Sequence, residues 1–115
     1  MNDLSKLEEK LNFSFNDKNL LRQAFIHRSY LNENPGAGMS HNERLEFLGD
    51  AVLELVVTEE LYSQFPEKPE GELTTLRAAL VNSKMLSDIA LQIGMNDFLL
   101  LSRGESRDKA RWYHG

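Results

Sequence analysis

Three acids stand at helical spacing in the run His41-Asn42-Glu43-Arg44-Leu45-Glu46-Phe47-Leu48-Gly49-Asp50. At about 100° per residue, Glu43, Glu46 and Asp50 fall within roughly 80° of one another on a helix. Leu45, Leu48, Val52, Leu55 and Val56 take the opposite side, and Phe47, Ala51, Leu53 and Val57 fill much of the rest. A helix that is apolar nearly all round is expected at the centre of a fold. Carboxylates on such a helix repel one another, and burial disfavours each charged form. They must carry protons or meet cations, and a divalent metal with oxygen ligands is the simplest partner. The plain alternative is a row of acids on a solvated helix face. Gly49 costs about 1 kcal/mol against alanine in mid-helix, which predicts a close approach by another backbone or a ligand.

The elements that hold this helix are themselves helical. Leu4, Leu7 and Leu11 mark a short first helix, with Asp3 or Asn2 available as its cap. Asp17 opens a second, carrying Leu20, Leu21, Ala24 and Phe25. The Gly-, Pro- and Asn-rich stretch 32–40 is a loop, and Asn42 stands where it can cap the acidic helix. That helix is expected from about Glu43 to Gln64, stopping before Pro66. A rigid connector, Phe65 to Pro69, leads to a helix over Glu70–Val81 with Leu73, Leu76, Ala79 and Leu80 inward. Glu70 at its start is explicable as a favourable charge at a helix N-terminus. Asn82 or Ser83 caps a further helix with Met85, Leu86, Ile89, Ala90 and Ile93 as its stripe and Gly94 as its stop. Phe98 to Leu101 is a short apolar run expected to close the core. The fold class is therefore all-α.

Composition excludes several chemistries. With 115 residues the chain is one domain at most, and with no cysteine it has neither disulfides nor thiolate metal sites. No apolar run reaches membrane-spanning length, and the acid-containing start MNDLSKLEEK is no signal peptide, so no membrane partner and a cytoplasmic location are expected. The net charge of −5 argues against a stand-alone nucleic-acid binder, because phosphate contacts need Lys and Arg. It does not argue against a nuclease whose acids hold magnesium. From Arg103 onward four Lys or Arg stand against two acids, a weak basic patch.

The decapeptide His41–Asp50 closely resembles the signature of the ribonuclease III family. Three further blocks resemble that family independently: Ala24-Phe25-Ile26-His27-Arg28-Ser29-Tyr30, Glu70-Gly71-Glu72-Leu73 with Leu76-Arg77-Ala78-Ala79-Leu80-Val81-Asn82, and Ser102-Arg103-Gly104-Glu105. The resemblance implies a helical nuclease-domain bundle, lacking its last helices, over residues 4–115, and no double-stranded-RNA-binding domain in this chain. It places the catalytic metal ligands on Glu46 and Asp50, supporting acids on Glu43 and Glu70, and a dimer-interface residue on Phe47. It implies magnesium, with manganese able to substitute, a homodimer, and hydrolysis of double-stranded RNA to 5′-phosphate and 3′-hydroxyl ends in RNA processing. Two further acids of the family's metal site would belong to a helix expected after Gly115, so activity of this chain alone is expected to be poor. Glu105 and Asp108 precede that helix and are not assigned as ligands. His27 is expected to be a hydrogen-bonded structural histidine, and Arg28 to meet either an acid or phosphate. The alternatives are a non-catalytic dimerisation or RNA-associated module with the same fold, and a plain helical interaction protein.

Overall fold

Asp3, Asp17 and Asn82 each accept backbone N–H groups of a first helical turn, and each opens a helix of the chain. The computed structural model describes residues 3–36 and 38–104. Within them lie α1 (Leu4–Leu11), α2 (Lys18–Ala24), α3 (Arg28–Glu33), α4 (Glu43–Gln64), α5 (Glu70–Leu80) and α6 (Ser83–Gln92), then a 3-10 turn at Met95–Asp97. The helical periodicity expected from the sequence holds, with one division the apolar pattern does not show. α2 ends at Ala24, and after Phe25 and Ile26 the His27 Nδ1 accepts the Ser29 N–H at 3.1 Å to start α3.

The core lies in the amino-terminal body. Leu7 of α1, Leu21 of α2, Phe25 and Phe98 pack together, with Leu4, Phe15, Met95 and Leu99 around them. The Phe25 and Phe98 rings stand 5.9 Å apart at a tilt of 58°. Ile26, fully buried, forms an isolated parallel bridge with Leu100, and Leu101 is buried beside it. The run Phe98–Leu101 thus closes the core in extended form. Among the described residues it makes no strand longer than that bridge.

The expectation that α4 sits at the centre is corrected. Leu61 is its single buried residue, whereas Leu48, Val52, Leu55 and Val56 are more than half exposed and Phe47 is 82% exposed. The reason is geometric. A helix of 22 residues runs about 33 Å, longer than the small core it leaves, and among the described residues α5 is the one helix that packs extensively along it. Arg77 of α5 reaches Glu54 and Thr58 on the acidic side of the far half, and among the described residues the apolar stripe on the other side stays open. The pair projects from the body, and the chain measures 54 × 30 × 24 Å. Leu80 of α5 and Met85, Leu86 and Ile89 of α6, expected inward, are likewise a third or more exposed. No helix among the described residues is long and apolar enough to cross a membrane.

Candidate active site

The start of α4 is tied to the body by its backbone neighbours. Asn42 N–H donates to the Ile26 carbonyl at 2.9 Å, Asn42 Nδ2 to the Ala24 carbonyl at 2.8 Å, and Gln23 Nε2 to the His41 carbonyl at 3.1 Å. Asn42 therefore anchors the helix instead of capping it. The cap comes from His41, whose Nδ1 accepts the Glu43 N–H at 3.3 Å. This fixes the first two turns of α4, and with them Glu43, Glu46 and Asp50, against the junction of α2 and α3.

On that helix Glu54 joins the acids, because it follows Asp50 by four residues and shares their side within about 80°. The four carboxylates differ in their partners. Glu43 meets Arg28 at 3.4 Å and Glu54 meets Arg77 at 3.6 Å. Glu46 and Asp50, between them, make no side-chain hydrogen bond or ion pair among the described residues. The alternative left open for Arg28 thus resolves towards an acid. Glu46 also lines an open groove of about 410 Å³ with His27, Asn42, Leu86, Met95 and Leu99.

Two adjacent exposed carboxylates one turn apart fit a hard, hydrated cation, because both are oxygen donors with no competing partner. They do not by themselves make a cage: no group of three or more His, Asp or Glu is gathered for a metal among the described residues. Glu70 starts α5 beyond the far end of α4, so within one chain it lies about 20 Å along the helix axis from Asp50. Glu105 and Asp108 lie outside the described residues. Phe47 projects to solvent beside the acids, and a Cβ built on Gly49 meets nothing within 4 Å. The close approach expected at Gly49 is therefore not made by any of the described residues.

His27 is hydrogen-bonded, as expected, and the network around it is a feature the sequence does not announce. Its Nδ1 stands 2.7 Å from Ser29 Oγ, which accepts the Ser102 N–H at 2.8 Å. Glu33 accepts the Arg103 N–H with both carboxylate oxygens at 3.1 Å. The block around Ala24–Tyr30 and the block at Ser102–Arg103 are thus two sides of one junction beneath Glu46. That four separated blocks share a family pattern was the one signal pointing to it.

A helical bundle with a projecting two-helix arm and acids at the arm's root defines the class: the chain belongs to the ribonuclease-III-like family, whose model matches residues 17–114. It is 49% identical to Ribonuclease 3 of Enterococcus faecalis over 93% of this chain and 46% of that protein. It is 52% identical to Ribonuclease 3 of Desulfotalea psychrophila, again over 93% of this chain and 44% of the relative. Among solved structures, it is similar to the nuclease domain of ribonuclease III from Campylobacter jejuni, with a TM-score of 0.83, 44% identity, and coverage of 96% of this chain and 73% of that one. That structure is described as flexible in a region involved in dimer formation. The chain spans about half the length of the curated relatives it matches.

Proposed function

We propose that this chain is the larger part, residues 4–115, of the nuclease domain of a magnesium-dependent endoribonuclease that cuts double-stranded RNA to 5′-phosphate and 3′-hydroxyl ends in cytoplasmic RNA processing. The observation that carries the reading is the pair Glu46 and Asp50, side by side at the root of α4 and without cationic partners among the described residues, in a member of this family. A bound divalent ion supplies an activated water and stabilises charge on the scissile phosphate. The protein's part is to orient that ion. The Asn42 and His41 hydrogen bonds fix the first turns of α4, and Glu46 and Asp50 would be the residues that hold the ion there. Manganese, of the same charge and oxygen preference, substitutes.

The dimer belongs to the same reading. Phe47 and the open stripe Leu48, Val52, Leu55 and Val56 are apolar surface that a second copy or the rest of the domain covers. Pairing through the Phe47 side gives Glu70 a route to the acids of a partner, which it lacks within its own chain. Glu43 and Glu70 act as supporting acids. A non-catalytic dimerisation or RNA-associated module is the second reading, favoured by the gathering of only two unpaired carboxylates among the described residues.

The test is cleavage of an end-labelled RNA duplex in magnesium, by the chain alone and by the chain joined to the remaining portion of the Enterococcus faecalis relative. Misplacement of a catalytic group by about 1 Å costs about a hundredfold, so the chain alone, with two carboxylates, is expected to cut at least that much more slowly. The joined protein is expected to cut, with its Asp50→Asn variant inert. A joined protein that folds, dimerises and never cuts establishes the non-catalytic reading instead.

A further inference from the structure

The acidic side of α4 carries four carboxylates in three turns, yet its two arginine contacts fall only on the outer ones. Arg28, at the start of α3, reaches Glu43 at 3.4 Å. Arg77, in the last turn of α5, places Nε 3.6 Å from Glu54 and donates from Nη1 to Thr58 Oγ1 at 3.0 Å. Thr58 lies one turn beyond Glu54, so Arg77 is braced along the helix as well as across to it. The two arginines come from different helices on either end of the row, and among the described residues the inner pair stays unpartnered. We infer that Arg28 and Arg77 are positioning residues that hold Glu43 and Glu54 away from the cation and so confine it to Glu46 and Asp50.

The physical need follows from spacing. Asp50 and Glu54 are four residues apart, the same reach that lets Glu46 and Asp50 share an ion. A free Glu54 would offer a competing site one turn along the helix, and the ion would be distributed between two positions. A reaction at a fixed phosphate needs one position. The guanidinium of Arg77 removes the competitor without occupying the site, because its planar fork is already engaged by Glu54 and Thr58. Exposed ion pairs of this kind contribute little to stability. Their effect here is on where a cation sits, not on whether the chain folds.

The inference rests on the proposed metal reading, and manganese binding to the whole chain, followed by electron paramagnetic resonance, separates the two. Binding that is absent, or unchanged in Glu46→Gln with Asp50→Asn, removes the metal reading and this inference with it. Given such binding, Glu54→Gln alone is expected to leave the affinity within about twofold, since a unit charge at about 10 Å in physiological salt does no more than that. A tenfold loss would make Glu54 a ligand already and overturn the inference. Arg77→Met is expected to add a second bound ion or tighten binding about fivefold, an effect abolished when Glu54→Gln is combined with it. Arg28→Met with Glu43→Gln should couple in the same way. Tightening that persists in the combined variants, or none beyond the twofold of the bare field, refutes a guarding role. Glu54→Gln needs no arginine removed, so the inference stays testable even where an arginine variant folds poorly.

Discussion

Neutralising Glu46 and Asp50 together, as Glu46→Gln with Asp50→Asn, should erase stabilisation by manganese while leaving the metal-free protein almost unchanged. Without metal, two effects oppose. Removing a like-charge pair one turn apart relieves about 0.2–0.5 kcal/mol. Glu46 also sits in the first turn of α4, where a negative charge is favourable by about 0.3–1 kcal/mol at a helix N-terminus. The remainder is a few tenths of a kcal/mol of destabilisation, a fall of no more than about 3 °C in Tm for a chain this size. With metal the proteins diverge. Two carboxylates and several waters hold a divalent ion weakly, with a Kd of order 1 mM. At 10 mM manganese the wild type then gains about 1.4 kcal/mol, or about 6 °C. Thermal unfolding followed by circular dichroism, with EDTA and with manganese, gives four melting points. Equal manganese shifts in the two proteins would show that these acids do not hold the ion.

Phe47→Asp removes apolar surface that is 82% exposed, so it should not unfold the chain, but it should move a micromolar dimer to monomer in sedimentation. A wild type that is already monomeric there refutes the interface. Gly49→Ala should raise the stability of the monomer by about 1 kcal/mol, because no atom of the described residues approaches its new Cβ; a loss of self-association in the same variant would locate the partner's close approach. Glu8 is held below the usual carboxylate pKa, first by its hydrogen bond to Lys18 and then by the Phe15 N–H. A lowered folded-state pKa contributes stability that is present above the ordinary value near 4.5 and is lost as pH falls through the folded value. Acid unfolding of Glu8→Gln should therefore be flatter than wild type below about pH 5, and identical profiles would mean the contact has no thermodynamic weight.

Local chemistry made the helix ends legible. Asp17 and Asn82 act as caps, Pro66 stands two residues after α4 ends, and Gly94 takes a φ of 70° where α6 has run out. Those are choices made by one or two residues and need no knowledge of neighbours. Which face of a helix is covered is a different matter. The stripe Leu48, Val52, Leu55, Val56 reads as core by composition, but burial depends on whether another element reaches it, and among the described residues none covers it. Glu43, Glu46 and Asp50 were legible as a set, while Glu54's place beside them and the division into paired and unpaired members were not. Arg77 lies over thirty residues from Glu46 in sequence, and only the crossing of α5 on α4 brings it to Glu54. Asn42 misleads for a similar reason. A good cap by residue type, it is drawn instead to the Ala24 carbonyl at the end of α2.

The junction of Ile26 with Leu100, Ser29 with Ser102 and Glu33 with Arg103 bears on how the chain folds in time. These contacts span 70 residues and more, and everything between them, the acidic helix included, is a loop until they form. Closing a loop of that length depends only weakly on its exact size, but long-range contacts of this kind slow folding. During synthesis α4 and α5 can pair as soon as they emerge, since their connector is five residues long. Phe25 and Ile26 must wait for Phe98 and Leu100, so the acids are made early and set in place late. A chain interrupted just before Phe98 would keep every acid discussed on α4 and α5, yet would have no closed core to hold them.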